Sequence, residues 1–163
     1  FPGHLEDDYV FEFPGQYKER LFQTHQGEEL HSLHFTNPQS KGLVLYFHGN
    51  AGSLAGWGRV SADFTPYDFD TLIIDYPGFG KSKGSIDSEE DLHRVATDVF
   101  KEVSKEYDTI ILYGRSIGTG VASQLAGSFP VALLILECPF YSFPDLVSYI
   151  YPYLPCRESI SSN

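Results

Sequence analysis

Four short apolar runs, separated by segments of a different periodicity, constrain this chain more than any other feature. The first is Leu43-Val44-Leu45-Tyr46-Phe47. Thr71-Leu72-Ile73-Ile74, Thr109-Ile110-Ile111-Leu112-Tyr113 and Val131-Ala132-Leu133-Leu134-Ile135-Leu136 follow it. A run with no polar alternation reads as a strand covered on both faces. Strands that alternate with helices build a parallel sheet with the helices packed on it, and four in this order make the centre of such a sheet. The intervening text is helical. Leu92, Val95, Ala96, Val99, Phe100 and Val103 fall on one helical face. Asp87 or Ser88 can cap that helix, and Glu89, Glu90 and Asp91 suit its positive end. Val121, Ala122, Leu125, Ala126 and Phe129 make a second stripe that ends before Pro130. Leu54 to Phe64, with Trp57 and Val60, is a weaker third helix because Gly56 and Gly58 interrupt it.

Ahead of Lys41 the pattern changes to half-buried strands of an antiparallel edge: Tyr9 to Phe13, Arg20 to Thr24 and Leu30 to Phe35. Pro14-Gly15, Gln26-Gly27 and Asn37-Pro38 punctuate them. No internal repeat or low-complexity linker divides the 163 residues, so one domain over 1–163 is expected. The fold class is therefore α/β: a central, mostly parallel sheet with helices on both faces and an antiparallel N-terminal edge.

Charge narrows the partners. The chain has 22 acidic against 11 basic side chains, a net −11, which would repel nucleic acid and otherwise serves solubility. Cys138 and Cys156 form no CxxC or zinc-type spacing, so free thiols are expected, with a structural disulfide as the alternative. No apolar run is long enough to cross a bilayer, and no signal peptide is visible. The chain opens at Phe1 and contains no methionine, so it reads as part of a longer translation product. A targeting segment could belong to the part upstream, which leaves cytoplasmic and membrane-associated locations both open.

In a parallel sheet the loops after strand C-termini emerge at one edge, where ligands bind. Three such loops are unusual. Tyr113-Gly114-Arg115-Ser116-Ile117-Gly118-Thr119-Gly120 joins an apolar strand directly to a striped helix, the context a GxSxG nucleophile elbow needs. Ser116 is the candidate nucleophile, and glycines on either side remove Cβ atoms that would clash where strand and helix pass. His48-Gly49-Asn50-Ala51-Gly52 follows the first buried strand. An acyl-transfer oxyanion needs preorganised N–H donors, and the backbone N–H groups of Asn50 and Ile117 are the expected pair. His48 is expected to orient its loop through a hydrogen bond rather than to serve as base. The third loop, Asp75-Tyr76-Pro77-Gly78-Phe79-Gly80-Lys81-Ser82-Lys83-Gly84, contains Gly-Lys-Ser. A phosphate-binding loop needs glycine where Asp75 stands and a helix starting at once; neither holds. The loop reads as a rigid turn walling the site. A dinucleotide fingerprint fails as well, because Gly118-Thr119-Gly120 is not followed by glycine or alanine three residues on. No cofactor and no metal site is expected.

With these loops in order the chain resembles the α/β-hydrolase superfamily, and more narrowly the serine hydrolases related to the fission-yeast Bem46 protein. The matching text is Phe47 to Gly52, Asp75 to Ser82, Gly114 to Gly118 and Glu137-Cys138-Pro139-Phe140. It covers about residues 20 to 155, although the third loop of the family usually has arginine where Pro77 stands. The resemblance implies a Ser-His-Asp hydrolase of carboxylic esters or thioesters working through a Ser116 acyl-enzyme. A small-molecule or lipid-like acyl substrate is implied, and relatives often carry an N-terminal membrane anchor, which would associate the protein with a membrane. Residues 140–163 would begin a cap, and two later strands would bring the acid and then the histidine.

No histidine follows Ser116, and the last in the chain is His93. A serine hydroxyl is a weak nucleophile without a base, so the 163-residue chain alone is expected to be inactive. Glu137 ends its strand at the correct edge for an acid, but local pairing that holds the following loop is the expected role. The aromatic text Phe140, Tyr141, Phe143, Tyr149, Tyr151 and Tyr153 reads as cap core or as an acyl pocket. The competing reading of the whole is a catalytically inactive binding protein that keeps the elbow without the triad.

Overall fold

The computed structural model describes residues 3–139. The expected cap over 140–163, its aromatic residues and Cys156 lie outside the described residues. Six strands form one sheet in the order β1-β2-β4-β3-β5-β6. They are β1 (Gln16–Gln23), β2 (Glu29–Thr36), β3 (Leu43–Phe47), β4 (Asp70–Ile74), β5 (Ile110–Arg115) and β6 (Leu133–Glu137). β1 and β2 pair antiparallel, as do β2 and β4. The β4–β3, β3–β5 and β5–β6 pairs are parallel. The mostly parallel sheet with an antiparallel N-terminal edge is the expected one.

The side chains of successive strand residues alternate between two apolar layers. Leu43, Leu45, Phe47, Leu72, Ile74, Ile110 and Leu112 face a cluster completed by α3 (Glu89–Val103) and α4 (Ile117–Ser128). Tyr46, Ile73, Leu33 and Phe35 face the other layer, with Leu54, Trp57, Val60 and Phe64 above them. Helices therefore cover both faces. Ser88 caps α3 by accepting from the Asp91 N–H at 3.1 Å, and Glu89, Glu90 and Asp91 occupy its first turn. The weak third helix resolves into α1 (Leu54–Trp57) and α2 (Ser61–Phe64), joined and followed by 3-10 turns at Gly58–Val60 and Thr65–Tyr67. Gly56, Gly58 and Pro66 supply too little helix propensity for one continuous rod.

Two expectations need correction. Tyr9 to Phe13 is not a strand. Its alternation is satisfied differently, as an irregular segment lying over the second layer. Phe11 is 4% exposed, Phe13 packs edge-on against Phe35 at 5.7 Å, and Val10 points out at 74% exposure. The Tyr17 hydroxyl donates to the Phe11 carbonyl at 2.6 Å, anchoring the segment to β1. Second, β2 is buried on both faces rather than one, because this segment covers one face and the α3 layer the other. β6 is the outermost strand among the described residues, and its Leu133 and Leu136 are exposed.

Candidate active site

β3 is the switch point of the sheet: the chain passes from it to β4 on one side and later returns to β5 on the other. Loops leaving β3 and β5 diverge there, and the crevice between them is where ligands bind in open α/β sheets. Both loops singled out from the sequence meet in it. A Cβ placed on Gly49 would stand 3.6 Å from the Ser116 Cβ, which sets the first loop against the candidate nucleophile.

Ser116 occupies the turn between β5 and α4 at φ 52°, ψ −117°. That conformation is costly for a residue with a Cβ, by about 1–3 kcal/mol, and persists only where its surroundings enforce it. The enforcing contacts are explicit. Ser116 N–H donates to the Glu137 carbonyl on β6 at 3.0 Å. Its own carbonyl accepts from the Thr119 N–H at 2.9 Å and the Thr119 hydroxyl at 2.6 Å. A Cβ on Gly114 would lie 2.3 Å from the Gly118 carbonyl oxygen, and one on Gly118 would lie 2.1 Å from that of Phe47. Glycine is therefore compulsory at both, the second because α4 starts hard against the end of β3. Ile117 is the first residue of α4, where N–H groups lack partners within the helix and the helix dipole favours negative charge.

The loop after β3 is tied down at its carbonyls. His48 is fully buried, its Nδ1 donates to the Gly49 carbonyl at 2.7 Å, and its own carbonyl accepts from the Tyr76 hydroxyl at 2.9 Å. His48 Nε2 lies 3.4 Å from Asp75 Oδ1, a contact without hydrogen-bond geometry. The ring is sandwiched by Trp57 and Tyr76, with centroids at 5.7 and 4.3 Å. The expected hydrogen bond from His48 to its own loop is present. Trp57 Nε1 donates to the Ala51 carbonyl at 2.7 Å, and Gly3 N–H donates to that of Gly52 at 2.9 Å. Asn50, between these anchors, is exposed.

The third loop is braced by its own hydrogen bonds and by those to α1 and β2. Asp75 is buried and its carboxylate accepts from the Leu54 N–H at 3.1 Å, fixing the start of α1. Ser82 bridges back to β2, its hydroxyl donating to the Asp75 carbonyl at 2.7 Å and accepting from the His31 N–H at 2.8 Å. No helix begins at Gly80-Lys81-Ser82. Glu137 pairs locally, accepting from the Tyr113 hydroxyl at 3.0 Å with Arg115 at 3.3 Å. Burial and that carboxylate together push the Tyr113 phenol up from its ordinary value. Arg115 also lies over the Trp57 ring at 5.3 Å, joining the elbow to the first loop.

Four other histidines are paired elsewhere, His25 with Asp98, His31 with Glu19, His34 with Tyr107 and His93 with Glu89, while His4 is exposed and bridges to Gly80 through its backbone. Among the described residues no group of three or more side chains is placed to hold a metal, and no helix is long and apolar enough to cross a membrane.

A family described as serine aminopeptidase, S33, matches residues 38–157 of the sequence, a span that contains all three loops. The chain belongs to this family of α/β-hydrolases. Within it the chain is Bem46-like: it is 33% identical over 131 residues to protein bem46 of Schizosaccharomyces pombe, covering 74% of this chain and 42% of that protein. It is 32% identical over 149 residues to lysophosphatidylserine lipase ABHD12 of Xenopus tropicalis, covering 83% of this chain and 38% of that one. An esterase of Pyrococcus furiosus, Pf2001, shares the fold with a TM-score of 0.72 at 18% identity, over 94% of this chain and 62% of its own. The chain thus spans less than half the length of these two curated relatives.

Three supports of the site were not legible beforehand. Trp57, the chain's single tryptophan, and Tyr76, inside a quoted motif, carried weak signals. Gly3 carried none, because its partner in the fold is 49 residues away.

Proposed function

We propose that the protein is a serine hydrolase that cleaves carboxylic esters or thioesters through an acyl-enzyme on Ser116. The observation that carries this reading is the left-handed backbone of Ser116 at the sheet's switch point, held by contacts on every side. Strain of that kind at a half-buried serine is what a nucleophile elbow requires, since the sharp turn presents the hydroxyl at the top of the sheet. The N–H groups of Asn50 and Ile117 would stabilise the oxyanion that forms on attack, a contribution of a few kcal/mol each. A lipid-like acyl substrate fits the lipase among the relatives. We further propose that the base is a histidine that follows Ser116 in the longer protein, since in this fold the base comes after the nucleophile and none of the six histidines here does.

A fluorophosphonate probe tests the nucleophile. The full-length protein is expected to be labelled and Ser116→Ala to abolish labelling; unchanged labelling removes Ser116 from the role. The 163-residue chain alone is expected to turn over p-nitrophenyl esters little above background. Robust turnover by that chain would return one of its own six histidines to the part of base.

A further inference from the structure

The first and third loops share a fastening that neither of them supplies. Residues 3–5 run between them as a rung of extended backbone. Gly3 N–H donates to the Gly52 carbonyl at 2.9 Å, and the Gly3 carbonyl accepts from the Gly80 N–H at 2.7 Å. Leu5 N–H donates to the Gly80 carbonyl at 3.0 Å, and His4 bridges to Gly80 in parallel. Gly52 and Gly80 both lie in the left-handed region, at φ 79° and 51°. A glycine has no Cβ to fix such a turn, so the direction of its peptide unit is set by whatever holds it.

Gly80 passes the grip on. A Cβ there would collide with the Asp75 carboxylate, whose oxygens accept from the Leu54 N–H at the start of α1. The rung therefore holds the exit of the first loop from two sides, directly at Gly52 and through Gly80 and Asp75 at Leu54. Asn50, an oxyanion donor in the reading above, stands two residues before Gly52.

The rest of the segment is fastened to the same short stretch of the third loop. Lys83 pairs with Asp7 at 2.5 Å. The Lys81 ammonium lies 4.9 Å over the Phe11 ring while pairing with Glu19 at 2.9 Å. Phe11 is buried and stacks on His31. The Gly80-Lys81-Ser82-Lys83 text, which fails as a phosphate loop, is thus a cleat for residues 3–11. Between the rung and Phe11, residues 6–10 are exposed. Backbone held at its two ends and by one surface ion pair belongs to the part of a fold that opens locally, apart from the core.

We propose that residues 3–11 are a positioning strap for catalysis: docked on Gly80-Lys81-Ser82-Lys83, they couple the third loop to the exit of the first, and their release lowers turnover without unfolding the domain. The proposal rests on the nucleophile reading above.

Three variants of the full-length protein test it. Leu5→Pro deletes the N–H that the Gly80 carbonyl accepts, whereas Leu5→Ala keeps it and trims only a half-buried side chain. Gly3→Ala sets a Cβ 3.0 Å from the carbonyl carbon of Gly52, a backbone atom that cannot swing aside. With a p-nitrophenyl ester, Leu5→Pro and Gly3→Ala are expected to lower kcat about 10-fold while KM changes less than about 3-fold. Leu5→Ala is expected to stay within about 3-fold of the parent. Urea midpoints of the two Leu5 variants are expected to coincide, because the strap lies outside the cooperative core. A segment that only adds stability gives the reverse, a lower midpoint with parental kcat. That pattern, equal kcat losses in the two Leu5 variants, or a rise in KM alone overturns the proposal while leaving Ser116 in place. Hydrolysis that survives Ser116→Ala sinks the nucleophile reading, and this inference with it. Hydrogen exchange in the unsubstituted protein needs no variant to fold. The Gly80 N–H is expected to be protected, but less than the amides of β3 and β5. Exchange at the unprotected rate overturns the docking, and protection equal to that of β3 and β5 overturns the release.

Discussion

Ser116 and Gly118 show how much a single position decides. The serine is strained by its turn, and the glycine two residues later lets that turn exist. A methyl group on Gly118 would stand 2.1 Å from the Phe47 carbonyl oxygen, which belongs to backbone and cannot swing aside. Gly118→Ala is therefore expected to cost about 3 kcal/mol of stability, at the upper end for an overpacked site. Urea unfolding followed by circular dichroism measures it, and a loss under about 0.5 kcal/mol, the range of an indifferent surface change, would contradict the close approach of α4 to β3. The glycine spacing was readable in the motif. Which atoms it spares was not, because the clash partner lies on a strand about 70 residues earlier.

At the scale of elements, local chemistry was most legible where it is most local. α3 begins where an acidic first turn follows a serine, and its apolar stripe faces the sheet as its periodicity requires. Ser88→Ala is expected to destabilise the protein by about 1 kcal/mol, with Ser88→Asp close to the parent, both from chemical denaturation midpoints. Equal midpoints for all three proteins would show that Asp87 or solvent does the capping. The segment Tyr9 to Phe13 is the opposite case. Its alternation of apolar and polar residues is what a half-buried strand shows, and the same alternation suits a segment lying across a sheet face. Period alone does not distinguish pairing at an edge from packing on a face; the choice fell to Phe35, Tyr17 and Leu33, which offer an apolar layer to pack on.

For the molecule as a whole, ion pairs fasten the antiparallel edge to the helical layer. The Glu28 carboxylate receives both guanidinium nitrogens of Arg94 on α3, one at 3.1 Å, and the Thr24 hydroxyl as well. The Arg94 hydrogen bonds lower its pKa from the ordinary 4.5 to about 2, against the opposing effect of burial. A carboxylate lowered on folding adds stability that is complete above its unfolded value and lost as pH falls from 4.5 toward 2. Glu28→Gln is expected to lose about 1–2 kcal/mol at pH 7, discounted for partial solvent screening. Stability profiles of the two proteins should converge as pH approaches 2, and a constant gap across that window would refute the assignment. The sequence by itself determined the layered α/β class, the parallel centre with its antiparallel edge, and the three loops that cluster at one end. Those are consequences of periodicity and of residues adjacent in the chain. Only the tertiary structure decided that β3 is the switch point, that Trp57, Tyr76 and Gly3 secure the first loop, and that His48 faces Gly49 rather than Ser116. Each of these depends on which strands become neighbours, and burial selects that arrangement from contacts between residues far apart in the chain.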